Sequence, residues 1–350
     1  MNHSLLLSCR SGFESDCAAE IQQRASQLQV AGFARTKPEQ GYVLFECFGA
    51  DDAARLHREL DFRQLVFTRQ WQVVTAQLDV DQGDRITPII QALTELPPCA
   101  RLAQDWPDTN EGKQMSGFCK KFSRPLENAL GEKLLAKSDC VLQLFWLNGT
   151  TLYIGYRLIA NSSPYSMGIL RLRQPSEAPS RSTLKLDEAF SILLNEQERE
   201  LYVQSGQQAV DLGACPGGWT YQLVRRSMYV AAVDNGLMAE NLMASGQVRH
   251  YREDGFKFEP IKHNISWLVC DMVEKPSRVT QLMLKWLTQR WCRYAIFNLK
   301  LPMKKRFAEV EQDLQQLKKG LAQTGLHFEV RAKHLYHDRE EITVFACIHS

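Results

Sequence analysis

The spacing of apolar positions changes along the chain. In the first 75 residues short strand-like runs alternate with helical periodicity. LLLSCR reads as a strand. Glu14 to Leu28 reads as a helix because Cys17, Ile21, Ala25 and Leu28 recur on one face, and GYVLFECF reads as a second strand. A helix over Asp51 to Leu60 and a strand at LVFTRQWQVVTAQL complete a βαββαβ-like order, which predicts a small α+β sandwich. From about Asp84, a helix (RITPIIQALTEL), a strand near Arg101, a helix over Pro125 to Lys133 and two strands (CVLQLFWLNG and TLYIGYRL) predict a second small α+β unit. NSSPYSMGILRLRQPSEAPSRS has many serines and prolines and no clean periodicity. It reads as a linker or an ordered crossing loop.

Beyond it the rhythm becomes strand, helix, strand. QAVDLG, MYVAAVDN, VRHYRED, ISWLVCDM and RYAIFNLK alternate with helical stretches, the clearest being Ser277 to Arg290 and Lys304 to Thr324. This predicts a doubly wound, mostly parallel sheet, and the last two strands, HFEVRAKHLY and EITVFACI, predict an antiparallel hairpin at its edge.

Composition narrows the class. A chain of 350 residues, 44% hydrophobic and 23% charged, has room for two or three domains with cores of their own. A net charge of +2 supplies no global field, so attraction to a nucleic acid must come from local patches. None of the 10 cysteines forms CxxC, and several lie in apolar runs such as WLVCDM, which predicts reduced, buried thiols and no zinc or disulfide framework. Runs such as VLQLFWL fall far short of the ~18 residues of a membrane span, and MNHSLLLSCRSGFE is too short in apolar residues for a signal peptide. The expectation is a soluble cytoplasmic protein.

DLGACPGGWT, at Asp211 to Thr220, is a turn between a strand and a helix in which Gly213, Cys215, Pro216, Gly217 and Gly218 follow an acid. Its spacing fails GxGxxG, and no Lys-Ser or Lys-Thr follows, so neither a dinucleotide site nor a P-loop fits. A DxGxxPGG turn suits S-adenosylmethionine (SAM), and the missing side chains are expected to let its amino acid end lie against the turn. Acids follow in phase: Asp234 after the second strand for ribose hydroxyls, Asp254 after the third for the adenine amine, and Asp271 after the fourth beside the methyl acceptor. Any one of them alone reads equally as a loop carboxylate or a helix cap.

DMVEKP after the fourth strand lacks the signature of base-amino methylation. Cys270 points away from Asp271 into the core, and Cys215 lies in the cofactor turn, so neither suits attack on a cytosine ring. Lys185 in STLKLDEAF, Lys300 in FNLKLPMKK and Glu341 in HDREEITVF remain. Removing a ribose 2′-OH proton needs a base, and a lysine serves if its charge is suppressed. Half-neutralising a free lysine at pH 7 costs about 4.6 kcal/mol. A second ammonium ~4 Å away supplies about 4 kcal/mol of repulsion at an effective dielectric near 20. Asp271 and Glu341 oppose it, so which lysine is neutral stays open.

SRSTLKLDEAF, VDLGACPGGWT, VDNG, REDGF, VCDM, FNLKLPMKKR and LYHDREE together resemble the ribosomal RNA large subunit methyltransferase M family, the bacterial 23S rRNA cytidine 2′-O-ribose methyltransferases. The resemblance spans nearly the whole chain and is strongest after Ser180. It implies an N-terminal ferredoxin-like α+β subdomain over residues 1–75, a THUMP RNA-binding domain over 76–160, a linker over 161–180 and a Rossmann-like methyltransferase domain over 181–350. It also implies a Lys185–Asp271–Lys300–Glu341 tetrad with Lys300 as the proton acceptor, Glu340 being the neighbour onto which the last position could slip. The SAM contacts it implies are Ser182, Cys215, Pro216, Gly217, Gly218, Asp234, Asp254 and Asp271. The partner it implies is 23S rRNA or an assembly intermediate, with no metal and no membrane, and the protein is expected to be a monomer. The same tetrad would also serve another RNA such as tRNA, and an RNA chaperone that kept the fold would look alike in sequence.

In EGKQMSGFCKKFSR, Lys113, Lys120, Lys121 and Arg124 are candidates for RNA phosphates, whereas Phe118 and Phe122, four residues apart, read as core. Lys304 and Lys305 read as a basic, solvated or phosphate-holding loop.

Overall fold

The computed structural model describes residues 4–261 and 263–349. Chain contacts divide it into two compact units, Met1–Leu170 and Arg171–Ser350. In the first, β1 (Ser4–Ser8), α1 (Glu14–Gln27), β2 (Gly32–Arg35), β3 (Tyr42–Cys47), α2 (Asp52–Glu59) and β4 (Gln70–Asp79) follow the βαββαβ order of a ferredoxin-like domain. Then come α3 (Ile86–Ala92), β5 (Arg101–Asp105), α4 (Met115–Leu130), β6 (Cys140–Trp146) and β7 (Thr151–Leu158).

The two α+β patterns read from the sequence share a single seven-stranded sheet, ordered β2-β3-β1-β4-β7-β6-β5. The joint is β4, which pairs with β1 through Gln70–Val74 and with β7 through Val73–Asp79. At ten residues it is long enough to serve both neighbours. A bulge between Val74 and Ala76 shifts its parity. Before it Trp71 stacks on His57 of α2, and after it Ala76 and Leu78 join the cluster of Ile89, Cys119, Leu126 and Trp146. The edge strand β2, GFAR, was not expected: four residues of alternating partial exposure leave almost no apolar signal.

Helix α4 begins at Met115, ten residues ahead of the expected start, with Pro125 inside it. Proline favours the first turn of a helix, which makes it a misleading boundary here. It is tolerated because Pro125 and Lys121, whose carbonyl loses its usual donor, both lie on the exposed side. The opposite side of α4 is apolar: Phe118 and Phe122 stack on each other and meet Trp146 edge-on, centroids 4.9 and 5.6 Å away. Part of the serine-rich stretch is ordered on this unit, where buried Asp105 accepts from the Ser166 hydroxyl and the Met167 N–H at 2.8 Å each.

The second unit contains α5 (Thr183–Leu193), α6 (Glu196–Tyr202), β8 (Gln208–Leu212), α7 (Gly218–Arg225), β9 (Tyr229–Val233), α8 (Glu240–Met243) and β10 (Val248–Tyr251). It continues with β11 (Ile265–Cys270), α9 (Pro276–Thr288), β12 (Cys292–Lys300), α10 (Arg306–Ala322), β13 (His327–Lys333) and β14 (Glu341–His349). Its sheet runs β10-β9-β8-β11-β12-β14-β13, parallel through β12, with β14 antiparallel to both neighbours. This is the Rossmann-like methyltransferase arrangement, mostly parallel with a C-terminal antiparallel hairpin. Trp267 anchors one layer, fully buried against Phe190 and Tyr294, and truncating such a residue costs about 3–5 kcal/mol. Among the described residues no helix is long and apolar enough to cross a membrane. The ten cysteines are free, and of these Cys215 alone is exposed.

Candidate active site

Parallel pairing brings the carboxyl ends of β8 to β12 to one crest, where side chains from distant parts of the sequence meet. Asp271 follows β11, Lys300 closes β12, Glu341 opens β14, and Lys185 reaches in from α5. The Lys185 ammonium donates to Asp271 Oδ2 at 3.1 Å and Oδ1 at 3.3 Å, and pairs with Glu341 Oε1 at 2.5 Å. The Lys300 Nζ lies 3.5 Å from Asp271 Oδ1 and pairs with Glu341 Oε2. Each acid therefore bridges both lysines. Glu341 is the deepest of the four, its side chain 5% exposed, and Lys300 is the most open at 27%. Glu340 lies at the surface against Arg306, 2.9 Å away.

Burial disfavours the Lys185 charge, but Asp271 and Glu341 outweigh it and hold its pKa above the usual 10.5. Burial likewise works against the Glu341 carboxylate, and Lys185 with Lys300 overcomes it, so its pKa falls below the ordinary value. Lys185 is thus held as a cation between two anions. Asn298, not anticipated, donates from Nδ2 to Asp271 Oδ1 at 2.9 Å. The signal was present in FNLK, since residues two apart on a strand share a face.

The glycine turn is built around the chain's own atoms. Gly217 has φ +115°, and a Cβ there would lie 2.2 Å from Leu242 Cδ1; one on Gly218 would lie 2.1 and 2.3 Å from the Ser182 and Ser180 hydroxyls. A Cβ on Gly213, φ +80°, would meet Met272 Cγ at 2.6 Å. Neighbouring protein atoms fill the space a side chain would need at these positions, a constraint that the sequence pattern did not reveal. Ser182 precedes α5, its hydroxyl 2.7 Å from that of Ser180. Cys215 and Pro216 stand exposed on the outer side of the turn.

Asp234 organises the turn: its Oδ2 accepts from Cys215 N–H at 3.0 Å and its Oδ1 from Gly236 N–H at 2.7 Å. Each oxygen keeps a second lone pair, so the carboxylate can still take ribose hydroxyls. Asp254 lies in the turn just beyond β10, exposed, its Oδ1 accepting from Phe256 N–H at 2.9 Å. Acceptors at successive strand ends and backbone groups at the turn form a donor and acceptor set that fits SAM, with the exposed Leu237 offering apolar surface. Cys270 is fully buried, its thiol pushed up to about 12 by burial, so it is inert.

Lys120, Lys121 and Arg124 are exposed along α4, and Lys113 is exposed beside Asn110, whose Oδ1 it reaches at 3.0 Å. Lys304 and Lys305 are exposed in the loop after β12, Lys305 with φ 57° at the start of α10. At the far end of β13 and β14, Glu329, Cys347 and His349 lie within ligand distance of one another, and Arg331 already pairs with Glu329.

Comparison with known proteins places each part of the chain. Residues 1–72 match the RlmM ferredoxin-like domain, residues 84–158 the N-terminal model of ribosomal RNA large subunit methyltransferase M, and residues 178–324 the FtsJ-like methyltransferase. Over 351 aligned residues, 98% of this chain and 95% of the relative, it is 54% identical to ribosomal RNA large subunit methyltransferase M of Yersinia enterocolitica serotype O:8. It is 53% identical to the protein of that name from Yersinia pestis (strain Pestoides F) over the same shares. Among solved structures, TrmN from Thermus thermophilus aligns over 99% of both chains at 14% identity and a TM-score of 0.37. Identity of this degree over nearly the full length, on a fold whose crest suits SAM, makes the chain a SAM-dependent methyltransferase belonging to the ribosomal RNA large subunit methyltransferase M family.

Proposed function

We propose that the protein methylates the ribose 2′-oxygen of a cytidine in 23S rRNA, with Lys300 as the general base. The observation that carries this reading is the meeting of two lysines and two acids at one point of the crest. When bound, SAM would supply a methyl carbon on a sulfonium, so that an oxygen–carbon bond can form as the carbon–sulfur bond breaks and a neutral thioether leaves. Lys300, as a free amine, takes the 2′-OH proton while that oxygen gains the methyl carbon. Lys185 stays charged and holds Asp271 and Glu341 in place, so both acids keep their positions as the proton moves. Ser182, Gly213, the Cys215–Gly218 turn, Asp234, Asp254 and Asp271 would hold the cofactor.

In this reading residues 1–75 and 76–160 grip RNA, Lys113, Lys120, Lys121, Arg124, Lys304 and Lys305 meet phosphates, residues 161–180 connect, and residues 181–350 do the chemistry. The work is done in the cytoplasm by a monomer without a metal. Incubating 23S rRNA with protein and methyl-tritiated SAM, then mapping the labelled nucleotide, tests the reading. A single 2′-O-methylcytidine is expected. Label on a base, or on tRNA in preference to 23S rRNA, rejects it, and RNA binding without SAM consumption turns the case toward a chaperone.

A further inference from the structure

Behind the tetrad the β12–β14 ladder carries a second polar row. The register sets Lys300 opposite Glu341 and Asn298 opposite Thr343, and alternation puts all four on one face. The next pair on that face, Ile296 and Phe345, is apolar core. Asn298, Thr343 and the nearby Asp338 are all 0% exposed. An amide, a hydroxyl and a carboxyl buried this deeply are costly unless every hydrogen bond is made.

The donors and acceptors can be assigned along the row. Asp271 already accepts from Lys185 on both oxygens, so it takes the Asn298 amide as a further donor at 2.9 Å. That turns Asn298 Oδ1 toward the Thr343 hydroxyl, 2.8 Å away, which gives its single hydrogen there. Thr343 Oγ1 also lies 2.9 and 3.1 Å from the two oxygens of Asp338. The geometry also allows the hydroxyl to donate to Asp338; with its hydrogen given to Asn298, a protonated Asp338 completes the row by donating to Thr343 Oγ1. Burial favours this, lifting the Asp338 carboxyl well above its ordinary value, with Glu341 and Glu188 adding to the rise and the Leu335 N–H and Thr343 hydroxyl working against it. The loop bearing Asp338 is fixed in turn: Asp338 Oδ2 accepts from Leu335 N–H at 3.0 Å, and Glu188 of α5 accepts from Tyr336 and His337 N–H at 2.9 Å each.

We propose that Asp338, Thr343 and Asn298 form a directed hydrogen-bond row ending on Asp271, and that these three are positioning residues for methyl transfer. They touch neither cofactor nor RNA and act by fixing the rotation of the Asp271 carboxylate between the two lysines. The inference rests on the roles given above to Asp271 and Lys300.

The test compares Asn298→Ala, Thr343→Val, Thr343→Ser, Asp338→Ala, Asp338→Asn and Lys300→Ala, measuring kcat and KM for 23S rRNA, SAM affinity by calorimetry, and Tm. Losing a hydrogen bond to a charged group predicts a kcat lowered roughly ten- to a hundredfold in Asn298→Ala and Thr343→Val, with KM for rRNA unchanged. Thr343→Ser is expected to recover most of the rate lost in Thr343→Val. Asp338→Asn should lose less than Asp338→Ala, because an amide can still donate to Thr343. Should Asn298→Ala fail to fold, the Thr343 pair reads the same row. Wild-type kcat in Thr343→Val and Asn298→Ala beside an inactive Lys300→Ala overturns the row, as does a Thr343→Ser no better than Thr343→Val. An active Lys300→Ala instead overturns the reading beneath it.

Discussion

Lys300 and Glu341 are register partners across the β12–β14 ladder, so the pairing of two strands sets the distance between an amine and the carboxylate it faces. A slip of β14 by one residue would turn Glu341 to the face opposite Lys300. If Lys300 is the base, Lys300→Ala should lower kcat by about a hundred- to ten-thousandfold, the range for removing general-base catalysis. SAM affinity should hold, as read by single-turnover tritium transfer beside calorimetry. Turnover within a fewfold of wild type sinks the assignment.

Lys185 is predicted to matter for the fold as well as the reaction. Lys185→Met leaves Asp271 and Glu341 with one cation fewer, at a cost of about 3 kcal/mol, the lower end for breaking a buried pair. Adding Glu341→Gln removes the surplus charge and should restore part of the loss. Urea melts of the single and double variants give the coupling, and strictly additive losses contradict it.

Gly217→Ala and Gly218→Ala should destabilise for different reasons. The first places a Cβ at φ +115° and 2.2 Å from Leu242, the second presses on the hydroxyls of Ser182 and Ser180. A loss of roughly 1–3 kcal/mol is expected for Gly217→Ala. Weaker SAM binding should accompany both, measured by thermal melts with and without SAM. If both variants melt like wild type, the turn is looser than its contacts indicate.

Asp211 gives a pH signature. Burial pushes its carboxyl from the ordinary 3.8 up to about 7, with Asp271 and Asp234 adding to the rise while the Thr220 hydroxyl, donating to Oδ2 at 2.6 Å, pulls it down. A folded-state pKa above the unfolded one contributes stability that is full below about 3.8 and lost as pH rises through about 7. Asp211→Asn should therefore melt higher than wild type at pH 8, by about 4 kcal/mol at most, and the gap should vanish near pH 4. Calorimetry across that range with a flat difference between the two proteins refutes the linkage.

The lysines of α4 are predicted to contribute binding and not chemistry. Replacing Lys120, Lys121 and Arg124 together with alanine should raise KM for rRNA and leave kcat alone. The slope of log affinity against log salt should fall by about 2, since each lost phosphate contact removes about 0.7–0.9. An unchanged salt slope places the RNA elsewhere.

The second unit was legible because its strands and long helices have local signals, whereas the short helices α6 and α8 were not read. Apolar runs end in acids, the glycine turn separates strand from helix, and strand alternation already turned Cys270 away from Asp271. The first unit was less so, for physical reasons. Sharing β4 between two neighbours is decided by pairing partners far away in sequence, which no local pattern encodes. Pro125 imitates a helix start while lying harmlessly on the wet side of one. At the crest, residue types alone marked the four charged groups, whereas Asn298 and Thr343 were invisible until the register set them side by side. The glycines marked the turn, while the protein atoms packed against them come from residues distant in sequence and left no local trace.

The strand that joins both parts of the first sheet also sets an order of events during synthesis. Once residue 79 has left the ribosome, the outer rim of β4 waits, amides and carbonyls bare, until Thr151–Leu158 emerges to cover it. In that interval the nascent chain carries a sticky margin that another copy could zip onto. Fragments ending between these points should precipitate or be held by chaperones, and a clean N-terminal piece has to run past Leu158.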